Sequence, residues 1–334
     1  MHRNCMPRIA IIGAGIAGAT LANRLTSSGF TVDLYEKSRG TGGRLASTRV
    51  GQLSADLGAP YLDGCSTEFE RFLNGFVEKG VVETWSTTRS DFDLTEQESV
   101  DYKIGRGRNS LFTRELLKGA FLHTETRIGV VWSDKQGVLI RDNQGELIDY
   151  FDAVVVAAPA PQAVPLLETS PRFAHRAEQA ATSANWIALF QFDQRPSRLE
   201  GVSVIEGDHL EFYRIIVESD KPGREGVLVR VEMQESWSQS HIDDDRETLL
   251  KTVEQLLIDW LGESLEPTAS KVHRWLYSRT LQSAQLTKPL WDTELLIGAC
   301  GDWINEPGLE GAWKSANELA DAIIDSFNAT SNLT

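Results

Sequence analysis

The stretch IIGAGIAGATLANRL, residues 11 to 25, constrains the fold more tightly than any other part of the chain. Ile9, Ile11 and Ile12 make a short apolar strand of the kind buried in a parallel sheet. The strand collapses into glycines. Gly13 permits a tight turn, Gly15 lets a pyrophosphate approach the backbone, and Gly18 lets the following helix pack closely on the strand. Leu21 and Leu25 continue the helix at i, i+4 spacing, Gly29 stops it, and Thr31 to Tyr35 reads as a second strand. Glu36 closes that strand about twenty residues past the turn, where a carboxylate accepts hydrogen bonds from ribose hydroxyls. Strand, glycines, helix, strand and acid in this order predict a βαβ unit that binds a dinucleotide. The free amides at the helix start would hold its phosphates.

Such a unit occupies a small part of 334 residues, and at about 150 residues per domain the chain is expected to hold two domains. Forty-one per cent hydrophobic residues suffice for sizeable cores. A net charge of −15 argues against nucleic acid or an anionic membrane as partner, so an anionic dinucleotide needs local arginines. Cys5, Cys65 and Cys300 are odd in number and lack metal or redox spacing, which points to a reduced, cytoplasmic protein with no metal site. No apolar run approaches membrane-spanning length, and no signal region precedes the first strand. Met6 is a plausible start, because residues 1 to 5 add nothing to the nucleotide fold. Oligomeric state leaves no mark on the sequence.

Further along, Asp243-Asp244-Asp245 is expected to open a helix whose apolar face is Leu249, Leu250, Val253, Leu256, Leu257, Trp260 and Leu261. Trp186 to Phe192, Leu210 to Val217 and Gly226 to Met233 read as strands, with a turn at Asp220-Lys221-Pro222-Gly223. Residues 161–285 thus predict an antiparallel sheet with helices packed on it, a second domain.

SRGTGGRLAST, residues 38 to 48, decides between cofactors. A glycine pair followed by arginine just beyond the first βαβ unit resembles the second glycine motif of the flavin amine oxidase superfamily. Three more segments fit: Gln52 to Tyr61, Asp152 to Pro159 (DAVVVAAP), and Cys300-Gly301-Asp302-Trp303 with Gly308 to Ala312. The fold expected is α/β, a two-dinucleotide-binding-domain flavoprotein with a Rossmann-like FAD domain and a mixed or antiparallel-sheet substrate domain. Residues 1–75, 103–160 and 286–334 would form the FAD domain, and 76–102 and 161–285 the substrate domain. The resemblance implies a noncovalent FAD on Gly13, Gly15, Ala17, Gly18, Glu36, Lys37, Gly43, Arg44, Pro60, Tyr61, Ile128, Asp302, Glu310 and Gly311. Gly42 and Gly43 would give backbone room, Arg44 would counter the phosphates or reach the flavin side, and Pro60 and Tyr61 would lie nearest the isoalloxazine. The helix from Glu310, packed through Ala316, Leu319, Ala320, Ile323, Ile324 and Phe327, would point its positive end at the flavin.

Within the superfamily the chain resembles the renalase family, through RGRNSLFTRELLKG (106 to 119), NWIALFQF (185 to 192), SWSQSHIDDDRE (236 to 247) and HRWLYS (273 to 278). It departs from that family's pattern at Asn185, where cysteine is expected, and at Pro60, where glutamine is common. The resemblance implies oxidation of 2- or 6-dihydro isomers of NAD(P)H to NAD(P)⁺, with oxygen reoxidising the flavin to hydrogen peroxide. Hydride loss from a dihydropyridine regains aromaticity and needs no base, which agrees with the absence of a Ser/His/Asp, Cys/His or paired-carboxylate constellation. Tyr61, Asn185, Trp186, Tyr213, Trp275 and Trp303 are the candidate substrate contacts, with Tyr277 a further aromatic. His241 and His273 read as structural, Cys300 as a small buried residue, and Arg106 and Arg108 as either phosphate partners or a solvated face. The alternatives are a flavin amine oxidase acting on a small amine, a non-catalytic binder of the Rab escort kind, and a plain NAD-dependent dehydrogenase.

Overall fold

A computed structural model describes residues 6–331; Cys5 and the rest of the leading segment lie outside the described residues. The chain divides into two compact units, one of residues 1–43, 113–182 and 280–334, the other of residues 44–112 and 183–279.

The first unit is built on a six-stranded sheet in the order Leu290–Asp292, Ile297–Ala299, Ala153–Val156, Arg8–Ile12, Thr31–Tyr35, Phe121–His123. All its pairs are parallel except the edge pair Leu290–Asp292 with Ile297–Ala299. Arg8–Ile12 lies between two parallel neighbours and Ala153–Val156 is buried throughout, which is why residues 9–12 and 153–156 read as continuous apolar runs. The helix Ile16–Ser27 buries Leu21 and Leu25 as expected. A three-stranded meander, Ile128–Asp134, Gly137–Asp142 and Leu147–Phe151, packs Val131, Val138, Ile140 and Phe151 into the same core as Val154, Val156 and Trp303.

The second unit carries a seven-stranded sheet in the order Ala269–Gln282, Ala181–Phe192, Val227–Met233, Phe212–Val217, Val204–Glu206, Val82–Ser90, Gln97–Gly105. Its two faces differ. Trp186, Ala188, Phe190, Phe212, Val231 and Met233 pack against the helix Arg246–Leu261, whose N-cap is Asp245, the last of the three aspartates. That carboxylate accepts from the Glu247 and Thr248 amides, so the acidic run serves as a helix start. Residues of the opposite register, Leu189 and Leu228, join Leu57 and Val50 on the other face. The chain thus combines a mostly parallel, Rossmann-like sheet in one unit with a mixed, mostly antiparallel sheet in the other.

The packing units divide the chain elsewhere than at the boundaries expected above. Val82–Ser90 and Gln97–Gly105 form one hairpin paired from Val82↔Gly105 to Ser90↔Gln97, so a boundary at 102/103 would cut a strand. Residues 44–75 belong to the second unit because Ser47–Val50 and Leu53–Asp56 form a hairpin whose Val50 and Ala55 pack on Leu189 and Leu228. Residues 161–182 belong to the first, where Ala163, Leu166, Leu167 and Phe173 complete the core.

Candidate functional site

The turn after the first strand is crowded on one side and open on the other. Gly13 has φ +111°, and a Cβ there would lie 2.7 Å from the Ala157 carbonyl oxygen. A Cβ on Gly18 would come within 2.0 Å of the Gly13 oxygen. These two glycines permit packing. Gly15 instead has an ordinary φ of −74°, and the nearest atom to a Cβ there is the Gly42 oxygen at 4.0 Å. Gly15 is also the N-cap of Ile16–Ser27, with no side-chain cap and no acid in the first turn. Unpaired helix amides beside space that only glycine leaves open form a cradle for an anion.

The second glycine motif joins this turn. Gly42 N donates to the Ala14 oxygen at 2.9 Å, Gly15 and Gly42 form a parallel bridge, and a Cβ on Gly43 would lie 3.2 Å from the Gly15 Cα. Glu36 is buried, with Oε2 accepting from Ala14 N at 2.9 Å and Oε1 from Ser38 N at 2.8 Å. Each oxygen keeps a lone pair, so this carboxylate fixes the loop and can still accept from ribose hydroxyls. Gly13, Gly15, Gly18, Glu36 and Gly43 are thus brought together. Ala17 is buried in the helix, exposed Lys37 donates to Gln162 Oε1 at 3.0 Å, and Ile128 packs into the core beside Tyr35. Asp302 is buried and accepts from Thr280 Oγ1 at 2.8 Å. Glu310 and Gly311 sit in the first turn of the helix Gly308–Ser331, which is tied to the preceding loop by Gly301 N donating to Ser315 Oγ at 3.0 Å. The Cys300 thiol is fully buried, which pushes its pKa up to about 12.

Arg44, Pro60 and Tyr61 fall in the second unit. There the segment Leu57–Tyr61 is pinned by side chains. The Leu57, Gly58, Ala59 and Pro60 carbonyls accept in turn from Trp275 Nε1 (3.1 Å), Arg230 Nη2 (2.8 Å), Asn109 Nδ2 (2.9 Å) and Lys221 Nζ (2.7 Å). Tyr61 Oη accepts from Arg214 Nη1 at 2.6 Å, and its ring stacks on Tyr102 at 4.0 Å. Burial pushes the Tyr61 phenol pKa up, with Arg214 opposing. Under this segment Asp56, Glu218, Lys221 and Arg224 form a buried ion cluster: Lys221 Nζ reaches Glu218 at 2.8 Å and Asp56 at 3.0 Å, and Arg224 bonds both acids.

The candidate substrate contacts do not form one group. Trp303 lies in the core of the first unit, fully buried, with Nε1 donating to the Ala158 oxygen at 3.0 Å. Trp186 faces the helix side of the second sheet and donates to the His241 oxygen at 3.0 Å. Adjacent strand residues point to opposite faces, so Asn185 lies on the other side from Trp186. Its Nδ2 donates to the Met233 oxygen at 2.7 Å, while its buried Oδ1 has no partner among the described residues. Trp275 packs beside Leu57, Leu189 and Leu228, whereas Tyr61 and Tyr213 are linked through residues that sequence reasoning missed: Arg214, Arg230 and Arg279 around Glu232. Burial would raise the Glu232 pKa, but Arg230, Arg214 and Arg279 bring it down to about 2. The signal was present in FYRIIV and VLVRVEM, where a charge interrupts an otherwise apolar strand. His241 stacks on Trp237, and His273 lies edge-on to Trp275. Burial, with Arg246 and Lys271 nearby, lowers the His273 pKa to about 4. Arg106 and Arg108 are exposed.

Residues 11–76 match the NAD(P)-binding Rossmann-like domain, and residues 87–324, more than half the chain, match the flavin containing amine oxidoreductases. The chain belongs to the flavin containing amine oxidoreductase family. A provisionally named protoporphyrinogen oxidase from Exiguobacterium sp. 255-15 shares this fold, with a TM-score of 0.70 at 15% identity over 96% of this chain and 99% of that one. So does a putrescine oxidase solved with putrescine bound (TM-score 0.67, 13% identity, 96% and 99% coverage). A zeta-carotene-forming phytoene desaturase of Myxococcus xanthus is 43% identical over 51 residues, which is 15% of this chain and 10% of that protein. The glycine cradle, the uncapped helix start and the spare acceptors of Glu36 fit the dinucleotide part of the flavin that this family contains.

Proposed function

We propose that this amine oxidoreductase family member holds FAD without a covalent link and oxidises 2- or 6-dihydro isomers of NAD(P)H to NAD(P)⁺, with oxygen as the final acceptor. Gly15 and the amides of Ile16–Ser27 would hold the pyrophosphate, Glu36 the adenosine ribose, and Asp302 with the start of Gly308–Ser331 the flavin end. FAD, when bound, supplies a two-electron acceptor that oxygen can reoxidise.

The observation that carries the substrate reading is the state of Lys221. It is the one buried lysine among the described residues, and its ammonium donates to Asp56, Glu218 and the Pro60 oxygen. All its N–H donors are spent, which leaves it no role toward an amine substrate or a water beside the flavin. Glu232 is an anion locked among arginines, and His273 is neutral and packed against Trp275. These are poor bases for deprotonating an ammonium. A dihydropyridine needs none: hydride leaves ring carbon 2 or 6, the ring becomes an aromatic pyridinium, and the protein's task is orientation.

Anaerobic mixing of the flavin-loaded protein with partly isomerised NADH, against aliphatic and aromatic amines, tests this reading. The isomeric dinucleotide is expected to bleach the flavin absorbance, at a rate nearly flat from pH 6 to 9. Bleaching by an amine, with a rate climbing steeply with pH, would overturn it. Acid precipitation is expected to release the yellow chromophore into the supernatant; colour retained in the pellet would show a covalent link.

A further inference from the structure

Two guanidinium groups on the second sheet have donors with no hydrogen-bond partner among the described residues. Tyr213 sits at the register irregularity between Phe212 and Arg214, a bulge of the kind that re-aims a side chain. The Arg279 guanidinium lies 3.8 Å over the Tyr213 ring and that of Arg214 5.1 Å over it. Among the described residues Arg279, from the strand Ala269–Gln282, makes one side-chain hydrogen bond, to Glu232. Arg214 makes one, to Tyr61; its Nε lies 3.3 Å from Glu206 but is buried without a hydrogen bond. Neighbouring cations are less available: Arg230 bonds Gly58 and Glu232 and its spare Nε is buried, and Lys221 makes three bonds. Access differs as well, since the Arg279 side chain is 34% exposed and that of Arg230 1%.

We propose that Arg279 and Arg214, set over the Tyr213 ring, form an oxyanion subsite that receives a phosphate or carboxylate of the substrate. Acids nearby do not fill it. Glu232 is shared with Arg230, Glu206 is shared with Arg89, and Asp63, which is exposed, makes no hydrogen bond or ion pair with Arg214 or Arg279 among the described residues. A guanidinium fork stacked on an aromatic ring keeps its N–H edge free, the geometry that matches the oxygens of phosphate or carboxylate. In a chain of net charge −15, a local pair of arginines is also what an anionic ligand needs. The inference deepens the dinucleotide reading, which it rests on for the phosphate source, but the subsite is testable apart from turnover.

The test is calorimetric titration of the FAD-loaded protein with inorganic pyrophosphate and, separately, propionate. Saturable binding of pyrophosphate is expected, weakened at least tenfold in Arg279→Gln and less in Arg279→Lys, which keeps the charge but loses the fork. Arg172→Gln, an exposed arginine of the other unit, is expected to bind as the parent does. Saturable binding of propionate in place of pyrophosphate, lost in Arg279→Gln, supports the subsite and counts against a dinucleotide. No saturable binding of either anion overturns the subsite. So does parental affinity in both Arg279 variants with circular dichroism unchanged, or an equal loss in Arg172→Gln. Arg279-dependent pyrophosphate binding without bleaching by the isomeric dinucleotide would leave the subsite standing and remove the proposed reaction.

Discussion

Gly15 and Gly18 stand three residues apart and should fail differently when given a methyl group. A Cβ on Gly18 collides with the Gly13 carbonyl at 2.0 Å, so Gly18→Ala is expected to destabilise by about 1–3 kcal/mol in urea unfolding. Gly15→Ala meets nothing closer than 4.0 Å, so its unfolding free energy from urea titration should stay within about 0.5 kcal/mol of the parent while FAD affinity, read by flavin fluorescence, falls at least tenfold. Equal loss of stability in both variants would show that Gly15 is a packing glycine and take the phosphate away from it. The packing roles of Gly13 and Gly18 were legible in the sequence because turn chemistry is local: φ, close approach and helix start are set within a few residues. Substrate contacts were less legible. Trp186 and Asn185 are neighbours in sequence but face opposite sides of a sheet, and Trp303 fills a core, because which face is wet depends on strands far away in the chain. Arg214 and Arg279 were missed for the same reason: their meeting over Tyr213 is a product of pairing, not spacing.

Among elements, the carbonyls of residues 57–60 are held by side chains from four other places in the second unit, and Lys221 is the donor with the most bonds at stake. Lys221→Met would leave Asp56 and Glu218 buried with Arg224 as their remaining cation, so a loss of about 3–5 kcal/mol is expected in urea unfolding. The pH dependence follows in sign. Burial raises the Asp56 pKa, but Lys221 and Arg224 outweigh it and hold the carboxyl below its usual range; Glu232 falls from 4.5 to about 2. Carboxylates with depressed pKa in the folded state contribute stability above their unfolded pKa and lose it as pH falls through the folded value. The parent should therefore resist acid until well below pH 4.5 in far-UV circular dichroism, while Lys221→Met unfolds about one pH unit higher or more. Coincident acid transitions would mean that Lys221 does not hold Asp56 ionised. The sequence showed these strands as apolar runs and Asp220 to Gly223 as a turn; it did not show that the lysine in that turn is buried, because burial of a charge is decided by its partners.

At the scale of the whole molecule, the chain passes between the two units at 43/44, 112/113, 182/183 and 279/280. The Rossmann-like match over residues 11–76, taken alone, invites the view of an autonomous N-terminal domain. Sheet order argues otherwise. Arg8–Ile12 is flanked by Thr31–Tyr35 on one side and by Ala153–Val156 on the other, which in turn needs Ile297–Ala299. A fragment of residues 1–112 would keep the glycine turn and Glu36 but leave one edge of a largely apolar strand unpaired, a template for aggregation. It would also carry the hairpin Val82–Ser90 and Gln97–Gly105 without Val204–Glu206, its neighbour in the second sheet. The fragment is expected to be insoluble or, refolded from urea, to show no cooperative transition and no quenching of added FAD fluorescence. Full-length protein under the same conditions should do both. A soluble fragment with a sigmoidal urea curve that quenches FAD would mean that the local βαβ geometry alone fixes the cradle, and that the distant strands serve the rest of the molecule instead.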